Sequence, residues 1–211
     1  MAELRCYAFI DSLQPQFASF LGTVAQGFLP TPGQAALFVE IAPGMEINRV
    51  TDVALKATNV TPGMMIVERL YGMLELHSHS QADVRQAGSA ILESLELKEE
   101  DRIKPKLLTS QVIRNISDYH TQLVNRMRHG NMILPGHSLY VMECAPAGYA
   151  AIAANEAEKA ANINILEVRA VGSFGRIYLG GEERDIDIGY RAAEQALEVI
   201  SGREEKGGKG G

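Results

Sequence analysis

A shift of 103 positions, the distance from Leu37 to Tyr140, lays residues 27–76 of the chain on 130–179 without a gap. It sets LFVEIAP, from Leu37 to Pro43, over YVMECAP, from Tyr140 to Pro146, so that Glu40 meets Glu143 and Pro43 meets Pro146. Gly27 falls on Gly130, Pro32-Gly33 on Pro135-Gly136, Lys56-Ala57 on Lys159-Ala160, Asn59 on Asn162 and Gly72 on Gly175. A one-residue deletion after Leu76 and Leu179 then brings DVRQAGSAILESL, from Asp83, onto DIDIGYRAAEQAL, from Asp185. An internal repeat of this length in a chain of 211 residues predicts two tandem copies of one small domain.

Each half reads β-α-β-α-β-β-α. An alternating strand over 5–10 matches 106–113, and a helix over 15–27 matches 117–130. Period-two strands follow at 37–42 and 140–145, where alternate side chains share a face. Helices at 45–59 and 147–162 come next; Ile47, Val50, Ala54 and Ala57 sit at helical spacing. Strand pairs are expected at 64–69 and 72–77, and at 164–170 and 174–179. In the last helix Ile186, Tyr190, Ala193, Leu197 and Ile200 form one apolar stripe; its counterpart repeats Val84, Gly88, Ile91 and Leu95 behind a capping pair, Ser80 and Asp83. The fold class is therefore α+β, with helices packed on a small sheet in each of two domains, 1–103 and 104–203. Residues 204–211 have no apolar side chain to bury and read as a disordered tail.

Composition narrows the partners. Charged residues are 22% and hydrophobic residues 46%, enough for a core in each half. A net charge of −6 lacks the basic face that nucleic-acid binding needs, so no nucleic-acid partner is expected. No continuous apolar run is long enough to span a bilayer, and MAELRCYAF does not read as a leader, so a cytoplasmic protein without a membrane partner is expected. Cys6 and Cys144 are too few for a disulfide framework or a zinc cluster and read as small core residues.

A search for chemistry finds no convergent acid-base set and no G-x-S-x-G elbow, so no catalytic residue and no cofactor is assigned, and the chain is not read as an enzyme. His77 and His79 share a strand face, yet no further ligand completes a metal site, and they read as an exposed strand end. His120 and His129, with Arg114, Arg126 and Arg128, read as a solvated helix face. Gly172-Ser173-Phe174-Gly175-Arg176 is a small-residue loop without the Lys-Ser/Thr pair of a phosphate loop. Glu68-Arg69 stands where the shift puts Val171-Gly172. One copy thus carries opposite charges where its twin carries almost no side chain.

Three segments, VERLYG from Val67, AANEAEKAANINIL from Ala153 and AVGSFGRIYLGGEERDI from Ala170, resemble tandem-domain, circularly permuted bacterial microcompartment shell proteins, particularly those of the β-carboxysome. The resemblance covers nearly the whole chain. It implies ferredoxin-like domains, a homotrimer that forms a pseudohexameric tile, and stacking of two trimers. It also implies a place in the carboxysome shell within the cytoplasm, beside hexameric and pentameric shell proteins, around RuBisCO and carbonic anhydrase. The family's gating pair maps onto Glu68 and Arg69, and the loop of the second domain onto Val171, Gly172 and Ser173. Lys56 and Lys159 match the edge lysine of shell tiles, whereas the Arg-Pro-His edge turn is absent from both halves. Phosphorylated metabolites, ribulose bisphosphate inward and phosphoglycerate outward, are the implied cargo. A tandem ferredoxin-like regulatory protein that binds a small ligand is the alternative; it would form small discrete oligomers rather than trimers and sheets.

Overall fold

The computed structural model describes residues 2–205, and within them the two halves repeat one topology. The first runs β1 (Glu3–Ile10), α1 (Pro15–Val24), β2 (Ala35–Ala42), α2 (Ile47–Ala57), β3 (Thr61–Glu68), β4 (Tyr71–Ser78) and α3 (Gln81–Leu95). The second runs β5 (Lys106–Ile113), α4 (Asp118–Met127), β6 (Ser138–Ala145), α5 (Tyr149–Ala160), β7 (Asn164–Arg169), β8 (Gly175–Gly181) and α6 (Glu183–Glu198). Each half forms a four-stranded antiparallel sheet, in the orders β1-β2-β4-β3 and β5-β6-β8-β7. The copies agree in detail: each has a bulge early in its first strand and a cis peptide, Ala42-Pro43 and Ala145-Pro146, ahead of its second helix.

The first helix of each copy ends three residues before the expected glycine. The cause is the same in both. Gly27 and Phe28 donate to the carbonyls of Gly63 and Pro62 at 2.9 and 3.0 Å, and Gly130 and Asn131 donate to Leu166 and Ile165 at 2.9 and 2.8 Å. These amides therefore extend the edge of the sheet instead of the helix. The capping pair of α3 is half formed: Ser80 Oγ accepts from the Asp83 amide at 3.2 Å, while the Asp83 carboxylate takes the Thr58 hydroxyl at 2.8 Å.

The core of the first sheet on its α2/α3 side consists of Leu37, Val39, Ile41, Val50, Leu74, Leu76, Val84 and Ile91, all fully buried. A second, larger core crosses from one domain to the other and joins Cys6, Phe17, Leu21 and Phe38 to Cys144, Tyr149, Ala154, Ile165 and Ile177. Burying a side chain of Phe or Leu size contributes about 1.5–3 kcal/mol. The two sheets are thus held as one body by continuous apolar packing. Both cysteines lie in that shared core, as small buried residues.

The chain then returns to its beginning. Arg203 bridges to Ile103, donates its amide to Arg102 O at 2.8 Å, and forms an ion pair with Glu3. Glu205, inside the expected tail, accepts from Arg5 at 3.1 Å. Residues 206–211 of that tail lie outside the described residues.

Candidate functional site: paired loops and a domain seam

β3 and β4 pair as far as Glu68 and Tyr71, leaving Arg69 and Leu70 as the turn. Arg69 has φ 53, in the left-handed region, and its twin Gly172 has φ 95. A side chain in this region costs about 1–2 kcal/mol that glycine avoids, so the second copy has the relaxed residue and the first the strained one. The two loops meet within a single chain. A Cβ placed on Gly172 would stand 3.1 Å from Glu68 Oε1. Sequence reasoning named Glu68, Arg69, Val171, Gly172 and Ser173 separately; the fold brings Glu68 against the second loop.

Beside this junction is a cavity of about 310 Å³ that sequence reasoning missed. Phe17 and Phe20 of α1, Ile66 and Glu68 of β3, and Arg169 and Val171 of the second domain line it. At its rim Glu167 Oε2 accepts from the His129 amide at 2.8 Å and faces His129 Nδ1 at 2.9 Å. Among the described residues Arg169 has no salt-bridge partner. The only signal available beforehand was the position of Arg169 at the strand end before the glycine loop.

The domains are joined by two carboxylates that each meet the start of a helix in the other domain. Glu40 of β2 accepts from Arg5 Nε at 2.8 Å and from the Gly148 amide at the start of α5 at 3.0 Å. Burial raises the Glu40 carboxyl above its ordinary value, against lowering by Arg5 and by the Gly148 and Ala147 amides. Glu158 of α5 accepts from the amides of Gln16 and Phe17 at 2.7 and 2.8 Å. Those are the free amides of the first turn of α1, whose N1 residue is Pro15 and whose flanking Gln14 provides no side-chain cap.

Lys56 and Lys159 lie in the last turns of α2 and α5, away from the cavity lining. Lys56 reaches Asp52 at 2.7 Å, while Lys159 reaches Asp11 across the domain seam at 3.7 Å. One expectation is corrected. His77 is not exposed: it is buried against Glu75, with Nδ1 3.1 Å from Oε2, because both face the α1 side of the sheet. Arg114 and His129 are exposed, as the solvated-face reading expects, and each is paired: Arg114 with Glu183 and Asp187, and His129 with Glu167. Among the described residues no three His, Cys, Asp or Glu side chains gather as a metal site, and no helix is long and apolar enough to cross a membrane.

Two fused copies of one α/β domain, with the turn loops of both copies side by side, are the arrangement found in solved fused, permuted microcompartment shell proteins. A fused permuted hexameric shell protein of the RMM microcompartment superposes with a TM-score of 0.93 at 45% identity, over 96% of this chain and 100% of that one. A double-ringed trimeric shell protein of the same microcompartment gives 0.93 at 40% identity, over 97% and 100%. The family model described as the CsoS1D N-terminal domain matches residues 4–101. The carboxysome shell protein CcmP of Synechococcus elongatus is 60% identical over 97% of this chain and 96% of its own length. CsoS1D of Hydrogenovibrio crunogenus is 49% identical over 96% of this chain and all of its own. The chain belongs to the CcmP/CsoS1D family of carboxysome shell proteins.

Proposed function

We propose that the chain is a tile of the carboxysome shell, in which three copies close a ring whose six domains, 1–103 and 104–203 of each, surround a gated pore. One observation carries this reading. Within the chain, α5 and β7 of the second domain pack on β1 and α1 of the first, and β1 is buried. The twin of β1, β5, is exposed along most of its length, and Met65 and Val67 of β3 are exposed where their twins Val168 and Ala170 are buried. The chain thus carries one used and one unused copy of the same interface. A head-to-tail contact of this kind forms a ring when its rotation closes, in keeping with the hexameric and trimeric forms named for the structural relatives.

Three Glu68-Arg69 turns then alternate around the axis with three loops of Val171, Gly172 and Ser173. Arginines turned inward and paired with glutamates of neighbouring turns close the hole; turned away, they leave it open, because the intervening loops have little bulk. A gate of this kind needs to be bistable by only a few kcal/mol. The cavity beside Glu68 offers a bound metabolite a place from which to bias it. Guanidinium groups suit phosphorylated cargo such as ribulose bisphosphate and phosphoglycerate. Lys56 and Lys159 present the tile to hexameric and pentameric neighbours, and two rings stack. The same cavity would serve a ligand-binding regulator, but that function does not call for the unused interface.

The test is electron microscopy of the purified protein and of the Glu68→Ala, Arg69→Ala double variant. Wild type should form threefold rings, and the variant rings with no closed state. A sealed axis in the variant refutes the gate, and a wild-type monomer refutes the tile.

A further inference from the structure

The seam inside the chain predicts, residue by residue, the seam between chains, and the two are not chemically alike. Glu40, which meets the start of α5, has Glu143 as its twin; the twins of Ala147 and Gly148 are Gly44 and Met45, at the start of α2. The Glu143 side chain is only 29% exposed, yet among the described residues its oxygens find no helix start. It is held by Arg176, whose Nε donates to Oε2 at 3.1 Å. This counter-ion comes from within the second domain, because the twin of Arg5 is Leu108. Met45, whose amide would be the donor, is 70% exposed.

The second anchor has diverged. Glu158 has Leu55 as its twin, and Gln16, which donates to it, has Tyr119. Leu55 and Tyr119 are 42% and 83% exposed, large apolar surface on two helices that the fold leaves uncovered. The start of α4 does not need a carboxylate from outside, since its own Ser117 Oγ accepts from the His120 amide at 3.4 Å.

We infer that a second copy of this chain docks so that Glu143, oriented by Arg176, accepts the Gly44 and Met45 amides of the neighbour, while Leu55 of the neighbour packs on Tyr119. The seam between chains therefore has one carboxylate-to-helix anchor and one apolar contact, where the seam within the chain has two carboxylate anchors. The inference rests on the ring reading above. It adds that ring closure depends on Glu143 and not on its twin Glu40, whose contacts are all made before any partner arrives.

The test compares Glu143→Ala with Glu40→Ala by sedimentation velocity across a dilution series, with thermal melting to confirm that each variant folds. Hydrogen bonds to a charged group contribute about 1.5–3 kcal/mol. Glu143→Ala should therefore raise the assembly midpoint roughly tenfold or more, with an unchanged monomer melt. Glu40→Ala should lower the melt and leave the midpoint within about threefold, far less than the tenfold step of one such bond. Where the ring proves too tight to dilute apart, a Leu55→Cys, Tyr119→Cys variant treated with a short bismaleimide gives a second readout. Covalent trimers are expected, because the native thiols are buried. Wild-type trimers that yield no covalent trimer, or a Glu143→Ala protein that assembles as wild type does, overturn the seam and leave the ring standing. A wild-type monomer at all concentrations overturns the ring itself.

Discussion

Removing Glu158 should loosen the two domains of one chain by an amount that can be worked out from its contacts. Its two oxygens take the Gln16 and Phe17 amides at 2.7 and 2.8 Å, and Phe17 is fully buried. Glu158→Ala leaves both amides without a partner. Loss of a helix cap costs about 0.5–2 kcal/mol, and stranding a buried donor about 1–3 kcal/mol. Burial raises the Glu158 carboxyl against the lowering by the two amides, so desolvation offsets part of the gain. A net loss of about 2 kcal/mol is expected, which for a chain of this length lowers the melting temperature by about 4–8 °C. Glu158→Gln, with a single carbonyl oxygen, should lose about half as much, roughly 1 kcal/mol. The direction of the pKa shift also fixes a sign. A carboxyl raised by folding contributes stability below its ordinary range and loses it as pH rises through the raised value. The advantage of wild type over Glu158→Gln should therefore be larger below the ordinary carboxylate range than at neutral pH. Urea unfolding at two protein concentrations separates this seam from the one between chains, since the loss here should not depend on concentration. A Glu158→Ala protein within about 0.5 kcal/mol of wild type, the size of an ordinary surface substitution, would refute the assignment of Glu158 as the outside cap of α1.

Two further outcomes test the interior. A Cβ on Gly63 would overlap the Glu75 carboxylate, which its amide also serves, so Gly63→Ala should cost about 1–3 kcal/mol in a denaturation curve; an unchanged midpoint would show that the buried Glu75–His77 pair can shift freely. Burial pushes the Cys144 thiol up to about 12 and the Cys6 thiol well above its ordinary value. Neither should be alkylated in the folded protein near pH 8, about the lower edge of ordinary thiol ionisation, whereas both should react fully in urea. Rapid modification of the folded chain would refute their placement in the shared core.

The duplication was legible because the same buried faces recur at the same spacing, and LFVEIAP and YVMECAP both became the central strands β2 and β6. The helix ends were not legible. Gly27 and Gly130 look like ordinary stop signals, but the amides that end α1 and α4 are taken by β3 and β7, elements still to come in the chain. His77 was misread for a related reason: alternation shows which residues share a face, not whether a helix covers it, and α1 covers this one. Glu158 was invisible as an anchor, being one acid among the polar residues of AANEAEKAAN. Its role exists only where α1, far off in sequence, places two bare amides against it. The pairing of Glu68 with Gly172 was half legible: the shift exposed the divergence, and only folding supplied the close approach.

That divergence explains why a fused chain differs from six identical subunits. Arg69 and Gly172 both occupy a left-handed corner, and only the first carries a side chain there. In the proposed ring six copies of an Arg-bearing corner would crowd the axis and leave no room for a second position, whereas alternation with Gly172 gives each guanidinium somewhere to go. The glycine has a second use. Because a Cβ at this point would press on Glu68, its absence lets the carboxylate of the charged loop rest against the neighbouring one. The strain of about 1–2 kcal/mol held at Arg69 is then comparable to the few kcal/mol that separate two states of a switchable loop. A corner that is unfavourable for its residue in one conformation is well suited to leave it in another, and in the proposed gate the duplication would supply both the moving part and the space in which it moves.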